Sequence, residues 1–436
     1  MGYERFETML QHLHLKNVGP APEVDVEFAP RLNLFTGDNG LGKSFLLDIA
    51  WWALTRRWPG EVNPHLTSGR RALPAGNGAA TIGFSFTSKV KTEEYVSLYQ
   101  PREQAWTGRT GRPANPGLVF YAMSDGSFAV WDPARNYWRT QGDVDVQDRA
   151  PAYVFSPTEV WDGLEDKDGK LLSLGLVMDW AGWQKEKSRA FGSLVSVLAE
   201  LSPSPKEKLV PGELTRISLD DARDIPTIRM PYRQDVPVLL ASAGMRRILA
   251  LAYVLVWAWE EHGKAAKLLN EEPTKQVVLL MDEVESHLHP QWQRRILPAL
   301  LAVAKTLIGE EGTQLQLIAA THSPLVMASA EPDFKPEIDA WWDIDLERGR
   351  VKLQQRPFEK LGDAARWLTS EAFDMASGRP LAYESLVKRA AAILEEESPD
   401  PGRIKKMNDQ LLSALSPTDD FLFNWRYVCH AKGWVK

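Results

Sequence analysis

The chain has 436 residues, 44% of them apolar and 25% charged, with a net charge of −7 from 51 basic and 58 acidic side chains. That composition is globular and the length suits two or three domains, or one enlarged one, and its net acidity excludes a nonspecific nucleic-acid coat as the global design. The single cysteine, Cys429, excludes an intrachain disulfide and fits a reducing cytoplasm, no apolar run reaches the ~18–20 residues of a membrane span, and Met1 to Glu7 lacks a basic-plus-apolar signal sequence.

The first predicted elements are strands. His12 to Val18 and Val24 to Phe28 alternate apolar and polar residues, as half-buried strands do. Leu32-Asn33-Leu34-Phe35-Thr36 is a third strand. It runs into Gly37-Asp38-Asn39-Gly40-Leu41-Gly42-Lys43-Ser44, and then into an apolar helix, Phe45 to Trp52. Strand, glycine-rich loop and helix in that order form a phosphate-binding loop. Glycines let backbone amides close round phosphate oxygens, and the helix start adds partial positive charge. Lys43 is placed to reach the β- and γ-phosphates of ATP, and the Ser44 hydroxyl to ligate Mg2+.

Ala80 to Phe86 and Glu94 to Tyr99 read as further strands. The loop Pro101 to Gly117 carries Arg102, Arg109 and Arg112 with Trp106, Gly108, Gly111, Pro113 and Pro116. Arginine beside an aromatic can grip single-stranded nucleic acid, so DNA stays open as a partner; a solvated loop is the simpler reading. Two short strands flank the turn Ser124 to Ser127. Residues 176–201 read as an amphipathic helical stretch, ended by Ser202-Pro203-Ser204-Pro205. Val160 to Leu209 is too short for long coiled-coil arms and has no sustained heptad repeat.

Ala241-Ser242-Ala243-Gly244-Met245-Arg246-Arg247 opens an apolar helix, Ile248 to Trp259. Ser242 and Gly244 at its start read equally as a plain cap or as a second anion site. One nucleotide cannot use both glycine sites of one chain, so a partner chain would supply the second. Val277-Val278-Leu279-Leu280-Met281-Asp282-Glu283 describes a buried parallel strand with two acids at its C-terminal end, the edge where open α/β sheets bind ligands. Asp282 fits the Mg2+ shell, and Glu283 fits a base that orients and deprotonates water. Glu285, His287 and His289 follow and are read as loop rather than metal ligands. Leu317 to Thr321 is another apolar strand. His322 stands at its end, where an imidazole can donate a hydrogen bond to a γ-phosphate.

Trp342-Asp343-Ile344-Asp345-Leu346 and Val351-Lys352-Leu353 close the sheet. Asp343 and Asp345 superficially match paired nuclease acids, but a polar-apolar edge strand reads better without a second acidic strand in a βαβ frame. Helices follow at Phe358–Thr369, Leu381–Glu397, Pro401–Leu415 and Phe421–Trp434. Glu395, Glu396 and Glu397 point in different directions on one helix and read as a solvated face. The tryptophan pairs Trp51-Trp52 and Trp341-Trp342, with Trp257 and Trp259, sit in or beside apolar runs and read as core.

The order of phosphate loop, serine-glycine signature, strand with Asp282-Glu283, and strand with His322 resembles the ABC-type ATPase heads of the SMC, RecF and OLD group. Asp282 to Pro290 followed by Ala320-Thr321-His322-Ser323-Pro324 resembles bacterial OLD-like AAA-family ATPases. The signature departs from Leu-Ser-Gly-Gly-Gln: Ala243 replaces the first glycine and Met245 the glutamine. The resemblance implies an α/β fold, an ABC-type P-loop ATPase head with a mostly parallel core sheet, an antiparallel β-layer and added helices. It implies a head over 1–355 with an inserted segment at about 101–235, and a helical extension over 356–436. It implies Glu283 as catalytic base, His322 as switch histidine, and ATP between Lys43 of one chain and Ser242 with Gly244 of another, in a homodimer or higher even-numbered oligomer. It further implies a cytoplasmic, membrane-free ATPase controlling a separately encoded effector, a nuclease, in anti-phage defence of the Septu or PARIS kind. A RecF-like repair ATPase and a transporter nucleotide-binding subunit are the alternatives.

Overall fold

The computed structural model describes residues 8–434 apart from 77, 89–90, 109–113, 137–138, 143, 148–151, 310–312, 374, 376 and 397. Met1 to Glu7, Arg109, Gly111, Arg112, Pro113 and Glu397, named above, lie outside the described residues.

The alternating segments near the start form β1 (Leu10–Lys16) and β2 (Glu23–Glu27), and the strand before the glycine loop is β3 (Leu32–Gly37). With β4 (Thr81–Thr87), β5 (Thr92–Gln100) and β6 (Ala105–Trp106), the first two make a five-stranded antiparallel layer ordered β2-β1-β4-β5-β6. The core sheet adds β7 (Leu118–Ala122), β8 (Phe128–Trp131), β9 (Tyr153–Phe155), β10 (Gln276–Met281), β11 (Gln314–Ala320), β12 (Asp339–Glu347) and β13 (Arg350–Arg356) to β3. Its order is β9-β8-β7-β10-β11-β3-β12-β13. The five central strands, β7 to β12 in that order, are parallel, and the flanking strands antiparallel. Val277 to Met281 is buried throughout because neighbours cover both edges and both faces.

Helix α1 (Lys43–Thr55) joins the two layers through Leu46, Leu47, Ile49, Ala50 and Trp51. Trp52 stacks on Trp58, and the Arg56 guanidinium lies 4.3 Å from the Trp52 ring. The tryptophans named above are core, with Trp259 half-buried.

Among the described residues, short helices and three small sheets lie in chain order between β8 and the signature segment. The expected helical stretch at 176–201 is two helices, Gly175–Glu186 and Arg189–Glu200. Lys187 turns left-handed, and Ser188 caps the second helix by accepting from the Phe191 amide. The signature segment opens α2 (Ala243–Leu269), far longer than the apolar run inside it.

Two other expectations change. β12 is interior, between β3 and β13, and not an edge: Asp343 is 3% exposed, accepts from the Thr36 hydroxyl at 2.7 Å and lies beside Arg356. The helix expected at 358–369 spans only Ala364–Leu368. Upstream, the Leu361 and Gly362 amides bind the Glu331 carboxylate and Gly362 takes φ +90°, so the chain cannot wind there.

Contacts divide the chain into Met1–Ala364 and Ala365–Lys436. The second unit has its own core, built by α3 (Leu381–Glu395), α4 (Pro401–Ala414) and α5 (Asp420–Ala431) around Leu386, Ile393, Ile404, Leu411, Trp425 and Cys429. In its aromatic last helix Leu422, Trp425 and Cys429 face inward, while Phe423 and Tyr427 are exposed. Among the described residues no helix is long and apolar enough to cross a membrane.

Arg31 just before β3 forks onto Asp339 at the start of β12, with Nε donating to Oδ1 at 2.9 Å; the Asp339 side chain is fully buried. Asp339→Ala leaves that guanidinium without its partner and should cost about 3–5 kcal/mol, measured by urea denaturation. A loss below about 1 kcal/mol would mean the pair does not brace the sheet.

Candidate functional site

The parallel register brings three strand ends to one edge. β10 pairs with β11 so that Met281 lies opposite Ala319, and β11 with β3 so that Ala320 lies opposite Phe35. Gly37, Asp282 and His322 therefore follow adjacent strands at the same C-terminal edge.

The glycine loop folds as its residues require. Gly37, Gly40 and Gly42 have φ of +132°, +80° and +105°. A Cβ on Gly37 would lie 2.1 Å from the Ile344 carbonyl oxygen, and one on Gly42 2.8 Å from Pro20; only glycine fits both. Asp38, Asn39, Gly40 and Ser44 are exposed, Gly42 caps α1, and Leu41 packs half-buried beside it. Lys43 folds back, and its Nζ donates to the Gly37 and Asp38 carbonyls at 2.7 and 2.8 Å. Burial lowers this amine to about 8, against the charges of Asp282, Asp38, Glu285 and Glu283.

Asp282 is 2% exposed. Burial raises its carboxyl; Glu283 adds to the rise, and the hydroxyls of Ser44 and Ser124 and the Arg247 guanidinium oppose it. Its Oδ1 is buried without a hydrogen-bond partner. Glu283 is half-buried with φ +44°, a left-handed conformation uncommon outside glycine. His322 is held below its ordinary range, first by burial and next by the Lys43 charge, while a hydrogen bond to the Gly37 backbone opposes the fall. The imidazole is therefore neutral at pH 7 and keeps one N–H to donate.

Ser242 and Gly244 stand apart from this cluster in role. Ser242 is exposed and caps α2, accepting from the Met245 amide at 3.3 Å. Gly244 is buried, and a Cβ there would lie 2.4 Å from the His287 carbonyl oxygen. Its smallness is thus required for packing within the chain. His287 and His289 are exposed, His289 capping the short helix Pro290–Gln293.

A family profile described as "AAA domain, putative AbiEii toxin, Type IV TA system" matches residues 32–328, the phosphate loop through the strand with His322 and beyond. The chain belongs to this AAA-domain family. The chain is similar to the probable ATPase of retron Ec83 from Escherichia coli, 24% identical over 57% of this chain and 42% of that one. Septu protein PtuA from Bacillus thuringiensis is 20% identical over 74% of each chain. This AAA-domain chain thus spans under half the length of the Ec83 relative. An Smc head domain from Pyrococcus furiosus, solved with a bound ScpA domain, aligns over 81% of this chain and 97% of that one at 12% identity, with a TM-score of 0.44.

Three further residues of the AAA-domain site make contacts that no motif records. Glu285 accepts from the Thr321 hydroxyl and the His322 amide. Arg247, on α2, donates to the Met123 carbonyl at 2.7 Å and faces the charges of Asp125, Asp282 and Glu283. Asp48, one turn beyond Ser44, accepts from the Tyr121 hydroxyl at 2.9 Å. Spacing from Ser44 was the only available hint for Asp48; the other two needed the fold.

Burial raises the Asp48 carboxyl to about 7, with Asp282 and Asp125 adding and the Tyr121 bond opposing. An unfolded aspartate ionises near ~3.9. The folded chain therefore keeps a proton that the unfolded chain has lost, and this group's contribution falls as pH rises from about 4 to about 7. Asp48→Asn keeps the acceptor and removes the ionisation. It should raise Tm by on the order of a few degrees at pH 8 and less at pH 5, in melts without nucleotide. An equal gain at both pH values would contradict a proton on Asp48.

Proposed function

We propose that this chain hydrolyses ATP in an OLD-like composite site completed by a second copy, and that opening and closing of the pair controls a separately encoded nuclease in bacterial anti-phage defence. The observation that carries the reading is the convergence of Lys43, Ser44, Asp282, Glu283 and His322 on one sheet edge while Ser242 opens its helix on the surface. The loop amides and Lys43 bind the phosphates, Lys43 leaving its two carbonyls for them. Glu283 takes the proton of the attacking water as the terminal phosphoryl group departs as phosphate. Neutral His322 donates to that group. Ser242 and the first amides of α2 reach the same group from the partner copy.

Ser44 and Asp282 fit Mg2+ on a specific ground: the buried Asp282 Oδ1 has no partner of its own and the Ser44 hydroxyl lies beside the carboxylate. The ion, when bound, supplies charge neutralisation for the phosphates. The defence setting is supported by the family description and by the retron and Septu relatives. A separate nuclease is supported by the state of Asp343, which is taken up by Thr36 and Arg356 inside the sheet.

Glu283→Gln should bind ATP and lower turnover by about 100-fold or more; Lys43→Ala should lose ATP binding. Parental turnover in Glu283→Gln would remove its role as base.

Ser242→Asp keeps a good helix cap and sets negative charge toward a partner's phosphate, so it should block turnover without unfolding. Mixed with Lys43→Ala, it should regain activity, because one of the two sites in a mixed dimer is then intact. Two inactive proteins that stay inactive when mixed would place the complete site in one chain. The purified parent with Mg2+ or Mn2+ should leave DNA uncut; cleavage would make it a fused nuclease.

A further inference from the structure

The turn between the two acids of β10 and the helix at Pro290 contains two non-glycine residues in left-handed conformation, Glu283 at φ +44° and His287 at φ +62°. Such a conformation is strained for a residue with a side chain and persists only where surrounding contacts fix it. Between them, Glu285 supplies such contacts. Its Oε2 accepts from the Thr321 hydroxyl at 2.6 Å and its Oε1 from the His322 amide at 2.6 Å. Thr321 is fully buried, and its hydroxyl oxygen accepts from the Ser323 amide at 3.0 Å. A single carboxylate therefore holds the three residues at which β11 leaves the sheet. The Thr321 amide donates to the Phe35 carbonyl at 3.0 Å, which sets His322 beside the start of the phosphate loop.

Charge-assisted bonds of this length are the stronger kind. Both carboxylate oxygens are engaged by the chain itself, which suits holding rather than proton transfer. We propose that Glu285 is a positioning residue for ATP hydrolysis, fixing the backbone of His322 so that its imidazole meets the transferred phosphate at the mouth of the phosphate loop. This rests on the reading of His322 as a phosphate contact. Glu285 is joined by the same turn to Glu283, so base and histidine are set by one piece of backbone. Misplacement of a reacting group by about 1 Å can cost ~100-fold in rate.

The test is a double-mutant cycle on the full chain, with kcat and KM for ATP measured in the presence of Mg2+. Glu285→Ala should lower kcat by roughly 10- to 100-fold and leave KM within about two-fold, since the loss falls in the transition state. In a His322→Ala background the same substitution should change kcat by less than about two-fold, because nothing remains to be positioned. Glu285→Gln keeps an acceptor for the His322 amide and should recover most of the activity. If Glu285→Ala does not fold, Glu285→Asp, whose shorter arm cannot span both partners, takes its place in the cycle.

Losses that multiply in the double variant would overturn the proposal and leave Glu285 as a general brace of the turn, as would parental kcat in Glu285→Ala. A His322→Ala chain as fast as the parent would also overturn it. A parent chain that does not hydrolyse ATP, or one indifferent to Glu283→Gln, would instead overturn the ATPase reading on which it stands.

Discussion

The parallel register of β3, β11 and β10 is the constraint on which the site depends. Three segments far apart in the chain end side by side because backbone ladders hold Met281 opposite Ala319 and Ala320 opposite Phe35. Slippage by one residue would turn each apolar run inside out and move the loop, the acids and the histidine out of reach of one another. The bracing seen at the strand ends follows from that need. Arg31 and Asp339 lock β3 to β12 at one end, and Thr36 with Asp343 does so at the other, next to Gly37. The acids that look like a nuclease pair in the sequence belong partly to this frame.

The electrostatics follow from packing charges at that edge. Lys43 is deeply buried and would lose its proton more readily than in water, yet four carboxylates near it restrain the fall. Asp282, Glu285 and Asp48 are raised by the same burial. That edge thus holds a cation resting on its own loop carbonyls among acids that are costly to ionise. A polyanion with a divalent cation would relieve both strains, since phosphates could take over Lys43 and a cation the unpartnered Asp282 oxygen.

Gly244 links this edge to the start of α2. Its missing side chain lets the helix lie against the His287 carbonyl, and His287 closes the turn that begins at Glu283. The helix that presents Ser242 to the outside is therefore packed on the backbone that carries Glu283. Arg247, one turn further on, reaches back to Met123 and the Asp125 loop. In a composite site such contiguity is the physical means by which occupancy at one nucleotide could bias the other, through a backbone with few alternative conformations.

The sequence alone determined the pieces whose chemistry is local. Glycines forced into positive φ, a lysine and serine at a helix start, an apolar run ending in Asp282 and Glu283, and a second ending in His322 are each legible because neighbours along the chain dictate them. So were the buried parallel strands and the cores around the tryptophans, since unbroken apolar runs report how many faces are covered, while the antiparallel layer came from the family resemblance. What the sequence misread was also local in form: β12 looked like an edge because polar residues alternate along it, but β13 and Thr36 cover them. Tertiary structure alone decided the distant partners within the chain: Glu285 with His322, Asp48 with Tyr121, Arg247 with Met123, and Gly244 against His287. These contacts join segments tens to hundreds of residues apart, and no periodicity or spacing records them, because a hydrogen bond depends on where two backbones meet in space and not on their distance along the chain.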